Sequence, residues 1–236
     1  LGYAIPNSSR FVFWILGMAL VVMMLVSRFV GSSHMSLKEG LLALFGNGSD
    51  VNVRIIQSIR IPRILAAVIA GAGLSVAGLM MQSTLNNPMA APSTLGVSNA
   101  AVFGANLSII IFSGGFVYTG HNLSSYASGA NPYATSALAF VFSVLSVLLI
   151  LGLCSLRAFS PGVVVLAGIA IGAVWTAATT VMQFYATDVG LSAAVIWSFG
   201  DLGRATDTTD LIMFCVAAGA LIYFSLMTWK YNALLS

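Results

Sequence analysis

Residues Arg60–Gly104 read RIPRILAAVIAGAGLSVAGLMMQSTLNNPMAAPSTLGVSNAAVFG, and the uncharged run that begins inside this stretch decides the fold. No Asp, Glu, Lys or Arg occurs from Ile64 to Leu156. A helix needs about 20 apolar residues to cross a hydrocarbon core of about 30 Å, so the run holds several spanning helices. Proline and asparagine in NNPMAAPST, Asn86–Thr94, separate two of them, because the residue before a proline is pushed out of the helical region.

The composition of the whole chain agrees with this interpretation. Of its 236 residues 59% are hydrophobic and 6% are charged, whereas an ordinary soluble domain is about 25% charged. So few charges cannot cover the surface of a soluble fold of this length. We therefore predict an all-α, polytopic transmembrane helical bundle. The net charge of +3 is scattered, which makes nucleic acid an unsuitable partner.

Apolar stretches predict about six spans in residues 1–236, which we expect to form a single transmembrane domain. Two shorter helices are expected on the membrane surface, one over Ser36–Phe45 and one around Ala193–Phe199. The predicted spans are Phe11–Val30, a second ending near Gln82, a third from about Ser93 to the segment at Ser113, Tyr133–Leu153, Val163–Ala186 and Asp210–Trp229.

The residue arrangements that carry catalysis or bind metal are missing from the sequence. There is no GxxxxGK[ST] motif, so the chain does not hydrolyse ATP in the P-loop manner. We predict no enzyme activity, no catalytic residue, no metal site and no cofactor. Cys154 and Cys215 each lie in an apolar run and are interpreted as buried small hydrophobic residues rather than a disulfide or metal site.

Small residues form a stripe on the fifth predicted span, and two interpretations of it stay open. Either they allow neighbouring helices to approach closely, or they form a smooth, weakly polar wall along a substrate path. Ion-coupled transporters usually carry ionisable residues within the membrane. In this sequence such residues cluster at the ends of the predicted helices, which argues against that class. A passive channel or ion-coupled transporter is the alternative class. The residues of this candidate path are Gly168, Gly172, Thr176, Thr179 and Gln183.

The stretch from Arg60 to Gly104 closely resembles the FecCD-type permease family of ABC importers, which carry ferric siderophores, haem and cobalamin. The resemblance rests on RIPR, on MQ, and on NPMAAPSTLGVSNAA in the family's order and spacing. LAGIAIGAVWTA (Leu166–Ala177) and IWSFGDLG (Ile196–Gly203) match further along the chain. The resemblance covers almost the whole chain and is to the first six of about ten helices.

What this resemblance implies is a transport subunit with several partners. The family acts as a homodimer or pseudo-dimer in the bacterial cell membrane, with two cytoplasmic ATPase subunits that use the ATP and an extracytoplasmic substrate-binding protein. Ferric siderophores or related metal chelates are the expected cargo, and cobalamin or haem is the alternative. The family's coupling helices follow its sixth span, so we expect the chain to be truncated before them.

The resemblance also assigns roles to particular residues. Arg60 and Arg63 match the arginines that dock the binding protein on the outer face, whereas interfacial anchoring by snorkelling is the alternative. They are expected at the start of the second span, which Pro62 should begin. The Ser160, Pro161 and Gly162 turn is expected near a cytoplasmic gate. A cytoplasmic signature turn is expected at Asn87, Pro88, Pro92 and Gly96. The resemblance places the N-terminus inside the cell, and with this orientation the outside carries more cations than the inside, which is the reverse of the usual bias.

Overall fold

The structure is a computed structural model that describes residues 7–29, 39, 42–43, 46, 49–113, 131–155, 160–200 and 202–235. Within these residues the chain is built from helices, joined by turns. In chain order they are α1 (Asn7–Phe29), α2 (Asp50–Leu85), α3 (Val97–Asn106), α4 (Pro132–Ser155), α5 (Pro161–Phe184), α6 (Asp188–Phe199) and α7 (Asp207–Leu235).

In the part of the chain that the structure describes, four helical segments are long and apolar enough to cross a membrane: Asp50–Leu85, Pro132–Ser155, Pro161–Phe184 and Asp207–Thr228. Shorter apolar helices cover Phe11–Ser27, Val97–Phe112 and Asp188–Phe199, where the first span, the third span and the second surface helix were predicted. The predicted all-α transmembrane class is confirmed. The other predicted surface helix, Ser36–Phe45, lies outside the described residues except at Glu39, Leu42 and Ala43, which are helical.

Helix α2 begins twelve residues before the position that the sequence indicated. Pro62 was expected to start it, but the helix begins at Asp50, where the Ser49 hydroxyl accepts a hydrogen bond from the backbone N–H of Asn52 at 3.4 Å. Pro62 therefore lies inside a continuous helix. The six residues before Ile61 form a π-helical segment, Ile55–Arg60, in which the Ile61 N–H bonds to the Ile56 carbonyl. This shift of hydrogen-bond register accommodates a proline that cannot donate.

The chain divides into two compact units, residues 1–73 with 202–236, and residues 74–201. In the second unit α3 packs against α4 and α5. One apolar cluster joins Leu95, Ile150, Cys154 and Ile171, and another joins Ile109, Ile110, Met182 and Ala194. In the first unit, α1 buries none of its described side chains, and α7 buries only Asp210 of those up to Thr228.

Helix α3 starts later than predicted and ends in a second π-helical segment, Leu107–Phe112. Residues 92–96 form turns, and Gly96 adopts a left-handed conformation with φ of 69°, so the helix begins at Val97 rather than near Ser93. At the other end the Ser108 carbonyl accepts both the backbone N–H and the hydroxyl of Ser113, each at 3.0 Å. The Ser108 and Thr135 hydroxyls are 3.0 Å apart and link this segment to α4.

Candidate functional site

The glycines of the α5 stripe are packed against the turn that precedes α3. A methyl group on Gly96 would lie 2.6 Å from the Gly172 Cα atom, and one on Gly168 would lie 2.8 Å from the Leu95 Cα atom. Both distances are far shorter than a van der Waals contact, so the two backbones meet with no room for a side chain. Of the two interpretations of the stripe, helix packing accounts for Gly168 and Gly172 in this structure.

The threonines of the stripe divide between the interior and the surface. Thr179 is buried, and Thr176 is exposed. Each hydroxyl donates to the carbonyl four residues earlier, Thr176 to Gly172 and Thr179 to Trp175, both at 2.9 Å. These bonds satisfy the hydroxyl protons within the helix. Thr176 is therefore the exposed member of the stripe, and its hydroxyl proton is used within the helix.

Two asparagines on one face of α3 reach α5. The Asn99 Nδ2 atom donates to the Gly172 carbonyl at 3.2 Å, and the Gln183 Nε2 atom donates to the Asn106 Oδ1 atom at 2.9 Å. Asn106 has 0% exposure, and Gln183 is half-buried. An apolar interior contains no water to form hydrogen bonds with these amides, so they form hydrogen bonds between the helices. They fix the register of α3 on α5 at two positions.

Aromatic residues join helices α3, α4 and α5 at mid-length. The Phe103 ring lies 5.0 Å from that of Phe142 and 5.1 Å from that of Trp175, and the Phe142 and Trp175 rings are 5.6 Å apart. Such edge-on and tilted contacts are favourable at these separations. The Trp175 Nε1–H donates to the fully buried Ser146 hydroxyl at 3.2 Å.

These amide and indole contacts were not foreseen from the sequence. Asn99, Asn106, Ser146 and Trp175 were not among the candidate site residues. Their signal is a polar side chain inside an apolar helix, which is costly in a membrane unless it has a partner. Finding the partner requires the fold, because Asn106 and Gln183 are 77 residues apart.

The predicted signature turn is compact and held by its own side chains. The Asn87 Oδ1 atom accepts from the Met89 N–H at 3.0 Å, and the Gln82 Nε2 atom donates to the Pro88 carbonyl at 2.8 Å. Pro92 is half-buried. The turn therefore delivers Gly96, in its left-handed conformation, to the contact with α5.

The predicted gate turn forms the start of α5. The Ser160 hydroxyl accepts from the Val163 N–H at 3.4 Å, and Pro161 occupies the first helical position, where its missing N–H costs nothing. Gly162 is exposed and has open space around it. Ser160 and Pro161 thus have a local role in starting the helix, and gating by this turn stays a prediction.

The predicted docking arginines lie around the junction between the π-helical segment and the rest of α2. Arg60 is the last residue of the segment and is half-buried, whereas Arg63 is exposed. Pro62 between them is fully buried. The buried proline and the continuous helix hold the two arginine backbones at a fixed spacing. Arg54, one turn and a half earlier in α2, is also exposed.

Apolar helices of spanning length, close glycine contacts and paired amides define a helical integral membrane protein. A model of the FecCD transport family matches residues 19–236. The chain therefore belongs to the FecCD transport family, as the sequence motifs predicted. Members of this family are transport permeases rather than enzymes.

Similar proteins differ in what their names say they carry. A putative ABC transporter permease of Methanocaldococcus jannaschii is 41% identical over 93% of this chain and 63% of its own length. The Fe(3+)-citrate import permease YfmE of Bacillus subtilis is 32% identical over 84% of this chain and 55% of its own. The vitamin B12 import permease BtuC of Salmonella arizonae is 28% identical over 86% and 56%.

A solved structure shows the same fold. It is an inward-facing conformation of a putative metal-chelate type ABC transporter, with a TM-score of 0.70 and 21% identity over 95% of this chain and 64% of that one. The chain spans between about half and two thirds of the length of these relatives.

Proposed function

We propose that the complete protein is the permease subunit of a binding-protein-dependent ABC importer in the cell membrane, and that it moves ferric siderophores or related metal chelates. The observation that carries the proposal is family membership over residues 19–236. The names of relatives that import Fe(3+)-citrate, and of a metal-chelate transporter with the same fold, support this cargo class. Vitamin B12 is the second candidate because of the similarity to BtuC.

The energy for transport comes from partner subunits in this proposal. The sequence carries no P-loop motif, so two cytoplasmic ATPases would supply ATP hydrolysis and a second permease would complete the path. A loaded binding protein docks at Arg60 and Arg63, and ATP-driven closure moves the permeases between outward-open and inward-open states. Vesicles that contain the full-length permeases should take up chelate with ATP only when the ATPases are present.

The docking step has a direct test in the double variant Arg60→Glu, Arg63→Glu. We expect the affinity of the full-length complex for the loaded binding protein to fall about tenfold at low salt, because attraction between opposite charges becomes repulsion. The loss should shrink at 0.5 M salt, where the Debye length is only about 4 Å. Binding to permease complexes in nanodiscs, titrated at both salt concentrations, measures this.

Arg54→Glu is the matched control, since Arg54 is exposed on the same helix. It reverses one charge near the docking pair without touching the RIPR motif, and we expect binding-protein affinity to stay within about twofold of wild type. Unchanged affinity of the double variant at low salt would refute the docking role. An equal loss in Arg54→Glu would show a general charge effect instead.

A further inference from the structure

The hydrogen bonds of Asn106 determine which way the Gln183 amide faces. The Asn106 Nδ2 atom donates to the Val102 carbonyl at 2.8 Å. A carbonyl oxygen can only accept, so the nitrogen of Asn106 must lie on that side and its Oδ1 atom on the other. The Oδ1 atom in turn needs a donor, which is the Gln183 Nε2 atom at 2.9 Å. The orientation of both amides is therefore set by a backbone carbonyl.

The side-chain oxygen of Gln183, Oε1, accepts no hydrogen bond, yet it is accessible at the surface. Among the described residues, the side-chain oxygens that are buried without a partner are both on Asp210. Gln183 makes its side-chain bond through Nε2 alone, so its Oε1 atom is an accessible acceptor. Gln183 itself lies on the face of α5 that carries Thr176 and Thr180, both of them exposed.

The chemistry of this face makes the Gln183 oxygen stand out. The Thr176 and Thr180 hydroxyls donate to the carbonyls of Gly172 and Thr176, at 2.9 and 3.0 Å. Their protons are used within the helix, and Phe184 beside them is apolar and exposed. An amide oxygen held in one direction on such a face favours the binding of a ligand that can donate a hydrogen bond to it.

We propose that Gln183 is a specificity-determining residue whose Oε1 atom accepts a hydrogen bond from an N–H or O–H group on the periphery of the cargo. Asn106 is the positioning residue that keeps this oxygen turned toward the cargo. The inference rests on the proposed transport function and on α5 facing the path. It names the favoured cargo as chelates with peripheral amide or hydroxyl donors, and it disfavours chelates whose periphery carries carboxylates alone.

The test measures equilibrium binding of two probes to the full-length permease–ATPase complex in nanodiscs, without binding protein. The probes are vitamin B12, with amide N–H groups at its periphery, and ferric citrate, with carboxylates. We expect wild type to bind vitamin B12 more tightly. Gln183→Leu should weaken vitamin B12 binding about tenfold, the factor expected for one hydrogen bond, and leave ferric citrate within about twofold.

Two further variants separate positioning from folding. Asn106→Leu should lower the ratio of the two affinities about three- to fivefold, because the Gln183 amide can then rotate. Asn99→Leu removes an amide from the same face of α3 whose partner is the Gly172 carbonyl, and it should leave the ratio unchanged. A misfolded fraction lowers the number of sites that bind but does not alter the ratio, so the ratio reports the site itself.

The outcomes distinguish this inference from the proposed function. Failure of the wild-type complex to take up any chelate with ATP would overturn the proposed function and this inference with it. Given ATP-dependent uptake, the inference alone is overturned in any of four cases. These are equal losses of both probes in Gln183→Leu, no loss of either, wild-type binding of ferric citrate at least as tight as that of vitamin B12, or binding of neither probe.

Discussion

Helices α3 and α7 are both apolar, yet they differ in what they bury. In α3 the buried residues are Ala100, Gly104, Ala105 and Asn106, and its partners approach to backbone contact. In α7 no described side chain from Leu211 to Thr228 is buried, and large residues such as Phe214 and Tyr223 are exposed. Lipid is as apolar as leucine, so hydrophobicity does not decide which helix is enclosed. What distinguishes α3 is the backbone contact at Gly104 and the interhelical hydrogen bonds of Asn99 and Asn106.

The strongest test of this difference is the same substitution in two helices. Gly172→Ala should lower the free energy of unfolding by about 2–3 kcal/mol, since overpacking against an unyielding backbone costs that order. The new methyl group would lie 2.9 Å from the Gly96 Cα atom. Gly219→Ala in α7 meets nothing within 4 Å, so it should be neutral or stabilise by up to about 1 kcal/mol. Denaturant titration in mixed micelles measures both.

Gly96→Ala extends this test to the turn before α3. Its methyl group would lie 2.6 Å from the Gly172 Cα atom, and the left-handed backbone adds a second penalty. We expect its loss to exceed that of Gly172→Ala. Stability changes of the same sign and size in Gly172→Ala and Gly219→Ala would contradict the distinction between enclosed and exposed helices.

A smaller effect is expected from tryptophans in α5 and α1. Trp175→Phe keeps most of the ring contacts but removes the hydrogen bond to the fully buried Ser146 hydroxyl, so unfolding should become easier by about 1 kcal/mol. Trp14→Phe, in α1, changes a side chain that is 79% exposed and should have no measurable effect. Ser146→Ala combined with Trp175→Phe should cost less than the sum of the single changes. Additive losses would show that the bond contributes nothing.

The least perturbing test uses the two native cysteines. Cys154 is 1% exposed in α4, and Cys215 is exposed in α7, so the expectation that both are buried is wrong for Cys215. In mild detergent, an apolar maleimide that enters the micelle, such as N-phenylmaleimide, should label Cys215 at least about tenfold faster than Cys154, because α7 exposes its thiol to the detergent whereas Cys154 is enclosed by protein. Mass spectrometry of peptides sampled over time gives both rates, and denaturant should equalise them. Equal rates in the folded protein would mean that the apolar cluster of Leu95, Ile150 and Ile171 does not enclose Cys154.

Much of the fold could be predicted because it depends on local chemistry. Uncharged apolar runs located the helices, and the NNPMAAPST segment located the turn before α3. The start of α2 was predicted wrongly because Pro62 usually marks the first turn of a helix. A π-helical segment over Ile55–Arg60 accommodates it inside the helix instead, and that shift of register has no clear signal in the sequence.

The candidate site was predicted less completely. The predicted stripe lies on α5, but the sequence left open whether Gly168 and Gly172 border a path or a neighbouring helix. Their contacts with Leu95 and Gly96 come from a turn more than 70 residues earlier in the chain. Asn106 was missed for the same reason, since its importance depends on Gln183 lying opposite.

The sequence by itself determined that this chain is a helical membrane protein of the FecCD transport family. Only the tertiary structure decided which faces of the helices meet and which atoms remain free to bind. The physical reason is that apolar faces have no preference between lipid and one another. Close backbone approach and hydrogen-bond partners far apart in the chain therefore determine which helix faces pack together. The direction of the Gln183 oxygen, set by the Val102 carbonyl through Asn106, is the clearest instance.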